Sequence, residues 1–580
     1  LVAYGDQYEV LNYRDLIEIK LRGERDLDVV LNNPEYAITR SIRKVLNAYQ
    51  AGGNPFETLT GPVEFAGYIS PQEKLPGQLA TLRDELETVL EELARDAGGK
   101  LRVRFADPDA NGGALARELN EKYGFSPQIA NLFDPNPFWF YMVLESGGES
   151  VQVPLPGELE SAALRNSLEA AIQRLAPGFL KTVALVKPQA IGHDTKRYSV
   201  LTETLSENTR IKETDLKEGR VPADADLLLV LAPESLVEKQ LFAIDQFLMQ
   251  GGSVVLASSA FDAGVGATLT ATQHASGLED WLTHHGLDID ASMVLDQQNA
   301  SLPVPVQRNI GGIALREIRM LPYPHFPDIR GEGLHADNPI TAALGQVTLN
   351  WASPITVDDG KNQARSVTPL LSSSPQSWVS SDLNIVPDYR AWPATGFQPA
   401  GERGPRLLAV AVEGRFDSFF KGKDSPLAKP AEENAATDAT KTESAADVDA
   451  DSVESVASGP ISSIIGRSPE SARIILVASN NFADDAVLSL ASEGLGTLYT
   501  QPVEFLQNAI DWSLEDRGLL AIRSRAQFAR TLAPMERGDQ LFWEYLNYGL
   551  ALLGLATVWF WRRWARRSEQ VRYQSILAEV

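Results

Sequence analysis

The sequence predicts an α/β protein of several domains, followed by one C-terminal transmembrane helix. Three observations support this fold class. Strand and helix patterns alternate through the first half of the chain, short apolar runs such as DADLLLVLAP and GGSVVLASSAF are typical of buried parallel strands, and residues 545–561 carry no charge. At 580 residues the chain exceeds the size that one hydrophobic core supports, so we expect about two to four domains.

The composition excludes several classes of function. With 77 acidic and 52 basic residues the formal net charge is -25, whereas nucleic-acid binding needs concentrated Lys and Arg, so we expect no nucleic-acid partner. The chain has no cysteine. This excludes disulfides, thiolate metal sites, a cysteine nucleophile and a CxxC redox centre.

Residues 1–54 are predicted to form an N-terminal strand and helix segment. The alternation in YEVLNYRDLIEI indicates a strand, and Asn33-Pro34 is a typical helix start. The helix is expected to end at Gly52-Gly53. It contains Ser41 and Lys44 in the S-x-x-K spacing of penicillin-binding enzymes, but the S-D-N and K-T-G partners are missing, so we interpret the pattern as coincidental.

Residues 55–180 are predicted to form a thioredoxin-like domain without CxxC. The pattern reads strand VEFAGYIS, a helix from about Gln78 to Asp96, strand LRVRF, helix ALARELNEKYG, a hairpin of FWFYMVLES with ESVQVPL, and a last helix. Without cysteines such a domain can only bind or pack. The aromatic stretch FDPNPFWFYM (133–142) is interpreted as core, with a partner-facing or ligand-facing patch as the alternative.

The stretch DPDANGGALARE matches the calcium loop D-x-D-x-N-G-x5-E, with Asp107, Asp109, Asn111 and Glu118 as the candidate ligands. An EF-hand loop needs a helix on both sides, whereas here a strand enters it, and Leu115 stands where an oxygen ligand or bridging water is expected. We therefore interpret the stretch as a strand-to-helix turn in which Asn111 is the N-cap of the next helix. Weak calcium binding remains the alternative.

Residues 181–424 are predicted to form a second α/β domain. KTVALVK, DADLLLVLAP and GGSVVLASSAF are buried parallel strands, and ARIILVASNNFADD (472–485) is expected to join the same sheet. The region 263–424 is interpreted as a β-rich or irregular insertion. Residues 425–460 are acidic and poor in large apolar side chains, which predicts a disordered linker, and residues 461–540 are expected to complete the domain.

The C-terminus is predicted to cross a membrane over residues 541–564 and to contact lipid there. Aromatic residues lie at both ends of the span, and a basic cluster that begins at Arg562 follows it. By the positive-inside rule the tail 565–580 is cytoplasmic and the remainder is periplasmic in a bacterial inner membrane. Because the chain begins with Leu1 and no signal peptide is evident, we expect a processed or partial product.

The order of these segments resembles a known family. The stretches NNPEYAITRSIRKVLNAYQAGG, GGKLRVRFADPDANGGALARELNEKYGF, LRNSLEAAIQRLAPGFLKTVAL and FLMQGGSVVLASS look like those of GldG-type, gliding-motility-associated auxiliary components of ABC transporters. The resemblance implies a thioredoxin-like domain followed by a glutamine-amidotransferase-like α/β domain, placed beside ABC permease and ATPase subunits. In some relatives of that family, the part outside the membrane follows the permease in a single fused chain.

The leading hypothesis is a non-catalytic, membrane-anchored periplasmic subunit that docks on a permease and engages an exported substrate or envelope component. The alternatives are a periplasmic hydrolase and a ligand-binding module for a sugar or lipid. Ser258 or Ser259 would be the hydrolase nucleophile, but there is no G-x-S-x-G motif and no evident histidine nearby. The six histidines show no metal-binding spacing, and we interpret them as surface or helix-end residues. No catalytic residue or cofactor is expected, and since no P-loop motif is present, ATP hydrolysis would belong to a separate subunit.

Overall fold

The computed structural model of this chain describes most of residues 61–514 and one long helix near the C-terminus. The described ranges are 1–4, 7–11, 17–21, 27–31, 61–128, 136–147, 149–156, 159–175, 181–188, 196–206, 208–265, 269–310, 313–342, 344–427, 464–495, 499–514 and 537–578, with single positions between 38 and 59. Two compact units result, Leu1–Ala526 and Gln527–Val580, and each is described by itself.

The N-terminal segment contains two short antiparallel hairpins. The first pairs β1 (Val2–Tyr4) with β2 (Gln7–Glu9), and the second pairs β3 (Ile17–Leu21) with β4 (Leu27–Leu31). Positions described between 38 and 49 are helical, as the sequence predicts. Ser41 is buried there, while Lys44 lies outside the described residues.

The first module, residues 61–175, is a four-stranded sheet with three helices. Its elements are β5 (Val63–Ile69), α1 (Gly77–Asp96), β6 (Leu101–Ala106), α2 (Ala110–Tyr123), β7 (Phe140–Ser146), β8 (Glu149–Val153) and α3 (Ser161–Leu175). The strand order is β6-β5-β7-β8, with β5 and β6 parallel and the other neighbours antiparallel. The elements follow one another as predicted. The thioredoxin-like assignment goes beyond this order and remains a prediction.

Helix α1 shows why the chain folds in this way locally. Its apolar residues recur every three or four positions, which places them on one face of the helix. All of them are buried against the sheet: Leu79, Leu82, Leu86, Val89, Leu90 and Leu93. The buried stripe predicted from the spacing is confirmed.

The second module is built on a seven-stranded sheet of order β10-β9-β11-β12-β24-β23-β21. Its strands are β9 (Thr182–Val186), β10 (Arg210–Glu213), β11 (Leu227–Leu231), β12 (Ser253–Ala257), β21 (Ser366–Ser372), β23 (Leu407–Glu413) and β24 (Arg473–Val477). The first five strands in the order are parallel, and β23 and β21 are antiparallel to their neighbours. β24 joins β12, as expected for residues 472–485.

Helices cover both faces of the seven-stranded sheet, which explains why its central strands are buried throughout. One face carries α4 (Ser199–Ser206) and α9 (Gln501–Ser513), and the other carries α5 (Glu238–Met249). The core on the α5 side continues into the first module, where it includes Tyr68, Trp139 and Tyr141. One hydrophobic cluster therefore spans both modules, and each module also has a core of its own.

The insertion between β12 and β24 is rich in β-structure, as predicted. It holds β13 (Phe261–Val265), β14 (Leu269–Gln273), α6 (Glu279–His284), β15 (Leu287–Ile289), β16 (Met293–Leu295), β17 (Asn299–Ile310), β18 (Ile313–Arg330), β19 (Gln346–Thr348), β20 (Ile355–Val357), α7 (Asp359–Asn362) and β22 (Trp378–Ser380). The prediction was incomplete in one respect. β21 and β23 lie within 263–424 but belong to the main sheet, because the apolar run LLAVAVE supplies a buried strand beside β24.

The acidic linker predicted over 425–460 is described only at its start. Ser425 and Leu427 are buried, and Leu427 packs in a small cluster with Phe242 and Phe420. Residues 428–463 lie outside the described residues. After β24 the chain continues into α8 (Asp485–Leu495) and α9.

The C-terminal unit contains α10 (Arg537–Ala578), a helix of 42 residues. Among the residues that the structure describes, no helix combines the length and the apolar character that crossing a membrane requires. The predicted transmembrane helix over 541–564 is therefore not supported, although the segment is helical. Glu544, Asn547 and Thr557 interrupt its apolar sequence, and Arg562 and Arg563 lie inside the predicted span.

Candidate functional site

The carboxyl edge of the parallel strands is the place where open α/β sheets bind their ligands. Here β12 is followed by Ser258 and Ser259, and β24 is followed by Ser479 and Asn480. All four residues are buried. The insertion covers this edge and contributes Trp351 and Ser353 to it.

The hydroxyl groups at this edge hold the insertion on the sheet. Ser259 Oγ lies 3.0 Å from Ser353 Oγ and 3.4 Å from the carbonyl oxygen of Trp351. The Asn480 amide donates to the carbonyls of Ser259 at 3.1 Å and Phe261 at 2.8 Å. Ser479 Oγ donates to the carbonyl of Asn350 at 2.6 Å.

These contacts bear on the hydrolase alternative. A serine nucleophile needs a base within hydrogen-bond reach. Ser258 Oγ has no hydrogen-bond partner among the described residues, and the hydrogen bonds that Ser259 makes there involve neither a histidine nor a carboxylate. The hydrogen bonds of Ser259 support a structural role for that residue.

A buried carboxylate forms a second polar centre, beneath α5. Asp245 accepts hydrogen bonds from Ser418 Oγ at 2.6 Å, Trp281 Nε1 at 3.2 Å and the Phe419 amide at 2.9 Å. His285 Nε2 lies 3.9 Å from Asp245 Oδ1, and neither side chain is exposed. Burial raises the pKa of Asp245 and lowers the pKa of His285 well below its usual value. The centre contains Ser, His and Asp, but the serine hydroxyl donates its hydrogen bond directly to the carboxylate, and the His285 and Asp245 side chains have no exposed surface.

The candidate calcium ligands have other partners. Asp107 Oδ1 accepts from the Asp109 amide at 3.1 Å, and Asp109 Oδ1 accepts from Trp139 Nε1 at 3.0 Å. Glu118 is exposed on α2. α2 begins at Ala110, so Asn111 lies inside its first turn and the N-cap prediction is wrong. In the described part of the chain no cluster of three or more His, Asp or Glu side chains could hold a metal ion, and the calcium alternative stays an untested prediction.

The aromatic stretch and the histidines are the two remaining features that the sequence singled out. Residues 138–142 of the aromatic stretch are buried, and Phe125 stacks on Tyr141 with ring centroids 4.1 Å apart, so this part is core. Residues 133–135 lie outside the described residues. The expectation that histidines are surface or helix-end residues is wrong for His325, which is 1% exposed and lies within β18. His285 is buried, but it is a helix-end residue because it caps the C-terminus of α6.

The long hairpin of β17 and β18 is a feature that sequence analysis missed. From Ser301 and Pro322 to the tip, the described strands pair only with each other, and we call residues 301–322 the hairpin arm. Its base is anchored in a core that includes Leu302. Ile318 and Met320 are 61% and 40% exposed, and as i and i+2 residues of one strand they lie on the same face. The alternating sequence could have indicated the strands, but not that they pair only with each other.

A cleft of about 560 Å³ lies between the two modules. It is bounded by α3 and the segment after β8 on one side, and by β10, the loop 219–224 and α5 on the other. Its charged lining residues are Glu169, Arg174, Arg210, Lys212, Arg220 and Asp224. Sequence analysis could not find this cleft, because its walls come from segments that only the packing of the modules brings together.

Parts of this chain are similar to known proteins. Residues 180–509 match the family described as an ABC-type uncharacterized transport system, and residues 53–134 match a domain of unknown function. An uncharacterized protein of Borreliella burgdorferi is 23% identical over 224 residues, which are 38% of this chain and 42% of that protein. The chain thus spans less than half the length of this relative.

Two solved structures show a distant similarity to this fold. The mmIFT52 N-terminal domain is 9% identical with a TM-score of 0.29, over 58% of this chain and 97% of that domain. A ThuA-like protein from Bacteroides uniformis is 9% identical with a TM-score of 0.26, over 58% of this chain and 91% of its own. Scores this low carry no argument about the fold or function of this chain.

Proposed function

This chain belongs to the ABC-type uncharacterized transport system family, and we propose that it is a non-catalytic accessory subunit that docks on the permease of an ABC transporter. The family match covers the second module with its insertion. Within that region the polar edge of the sheet is closed by the chain's own backbone and side chains. This closure argues against catalysis at that edge of the sheet.

The hairpin arm is the observation that carries the docking proposal. A two-stranded hairpin is marginally stable by itself in water and needs packing against further structure. The arm extends beyond the core that anchors its base, and Ile318 and Met320 form an exposed apolar stripe on it. We propose that this stripe packs on the permease.

The subunit contributes binding to the transporter, while a separate subunit hydrolyses ATP. The sequence has no P-loop motif, which fits this division of labour. We propose that the globular unit lies on the periplasmic side of a bacterial inner membrane, where it would engage an exported substrate or an envelope component.

Affinity purification of the intact chain from its own cells in mild detergent tests this proposal. We expect a stoichiometric complex with a multi-span permease and a P-loop ATPase, identified by mass spectrometry. Replacing the stripe, Ile318→Asp with Met320→Asp, should reduce the recovered permease about tenfold or more, since two apolar contacts are lost. Val237→Asp is the matched control, because Val237 is 57% exposed outside the arm.

Two outcomes would contradict the proposal. A chain that is always recovered alone would exclude a stable accessory subunit. A complex that is unaffected by the double substitution would exclude the arm as the docking element while leaving the subunit role intact. The same cells test the location, because protease added to spheroplasts should digest a periplasmic globular unit and spare a cytoplasmic one.

A further inference from the structure

We propose that the cleft between the two modules binds a small organic anion. The cleft volume of about 560 Å³ lies within the range of small-molecule sites, and such sites occur preferentially where domains meet. The proposal does not depend on the transporter role. It rests on the charge, the partners and the apolar walls of the cleft.

The cleft is positively charged on a strongly acidic protein. Four cationic side chains line it, against two carboxylates, while the whole chain carries a formal charge of -25. The cations come from both modules: Arg174 from α3, Arg210 and Lys212 from β10, and Arg220 from the following loop. Because the rest of the protein repels anions, a local excess of positive charge favours an anionic occupant at this place.

Only one of the four cations is neutralised at close range by a carboxylate of the cleft. Lys212 Nζ lies 2.9 Å from Asp224 Oδ1. The other lining carboxylate, Glu169, pairs with Arg165, which does not line the cleft. The side chain of Arg210 has no hydrogen-bond or ion-pair partner among the described residues, and it is exposed.

The two remaining arginines are anchored to backbone carbonyls. Arg220 Nη1 donates to the carbonyl of Leu155 at 3.0 Å, and Arg174 Nη2 donates to the carbonyl of Ala225 at 2.8 Å. Arg174 Nε lies 3.8 Å from Asp226 Oδ1 in an ion pair, but it has no hydrogen-bond partner in the described part of the chain. Burial lowers the pKa of both guanidinium groups. Buried charges are usually paired, so an anion in the cleft would add to the compensation that the carbonyls and Asp226 supply.

The uncharged walls define the rest of the ligand. Pro154, Leu155, Val221, Phe242 and Phe247 line the same space. A simple inorganic ion would leave these apolar surfaces in water. The cleft therefore fits a compound that joins a carboxylate or phosphate group to a compact apolar part.

Titration calorimetry on the full chain with phenyl phosphate, benzoate, inorganic phosphate and benzyl alcohol tests the proposal at constant ionic strength. We expect phenyl phosphate or benzoate to bind at least about fivefold more tightly than inorganic phosphate, because the ring covers the apolar walls. Benzyl alcohol, which has the ring without the charge, should bind more weakly than either. The comparison of phenyl phosphate with benzoate identifies the preferred anionic group.

Two variants connect the binding to the cleft. Arg210→Gln should weaken binding about tenfold, the loss expected for one charged contact, and as an exposed residue it should not disturb folding. Arg403→Gln removes the same charge from an exposed loop and should leave binding unchanged. The proposal is wrong if neither aromatic anion binds with a Kd below about 10 mM, or if Arg210→Gln and Arg403→Gln bind the anion with the same affinity.

Discussion

His325 lies in the core of the insertion, where its ring packs edge-on against Phe397 at 4.7 Å and beside Tyr323 at 5.5 Å. Its Nδ1 has no hydrogen-bond partner among the described residues. Burial lowers the pKa of His325 to about 3, so the imidazole is neutral in the folded protein at neutral pH. Nearby Asp328 behaves in the opposite way, since burial raises its pKa to about 6.

We predict that His325 makes folding sensitive to acid. The unfolded chain binds a proton at His325 near pH 6.5 and the folded chain near pH 3, so the contribution to stability is lost as the pH falls through this window. The full effect is at most about 5 kcal/mol. His325→Phe should therefore flatten the dependence of the unfolding free energy on pH between 7 and 4, measured by urea denaturation.

The opposing titration of Asp328 provides the control. The pKa of Asp328 is 3.8 in the unfolded chain and about 6 in the folded protein, so Asp328 stabilises the folded state progressively more as the pH falls from about 6 to 3.8. Asp328→Asn removes this gain and should therefore steepen the loss of stability in acid. An unchanged pH profile for His325→Phe would show that His325 does not titrate on unfolding as its burial implies.

Secondary-structure elements could be predicted from the sequence where a single periodicity decides them. The buried stripe of α1 and the apolar strands β9, β11, β12 and β24 follow from local patterns. The positions of β21 and β23 in the seven-stranded sheet could not be predicted from local patterns. Their neighbours in the sheet are distant in sequence, and β21 contains Pro369. The partners of Ser259 were hidden for the same reason, since Trp351 and Asn480 come from remote segments.

We predict that Leu86→Ala will destabilise the globular unit by about 3 kcal/mol, since Leu86 is fully buried in the middle of α1 and its truncation leaves a cavity. Chemical denaturation followed by circular dichroism measures the change. Glu91→Ala on the exposed face of the same helix should change the unfolding free energy by less than about 0.5 kcal/mol. Equal effects of the two substitutions would mean that α1 is not packed through the Leu86 face.

At the scale of the molecule, one hydrophobic cluster spans both modules. Residues of the first sheet, such as Tyr68 and Tyr141, lie in the same cluster as Val186 and Leu228 of the second sheet. Sequence analysis divided the chain at residue 180 because the pattern of elements restarts there. The contact between the modules depends on which helix and sheet faces pack together. Local periodicity in the sequence does not predict that packing.

The shared cluster predicts one cooperative unfolding transition for residues 1–526. Tyr141→Ala removes a side chain that is 3% exposed and stacked on Phe125, so it should lower the midpoint of that transition for both modules together. Differential scanning calorimetry makes the measurement. A transition that splits in two, with only the first module destabilised, would show that the modules fold separately.

The position of β24 in the sheet has a consequence for biosynthesis. β24 lies between β12 and β23, so the seven-stranded sheet cannot close until residues 258–472 have been made. During translation, the edge of β12 that pairs with β24 therefore stays unpaired until β24 is made. Exposed edges of apolar strands are sites of aggregation. We therefore expect a chaperone to contribute most between the synthesis of Ala257 and the synthesis of Arg473.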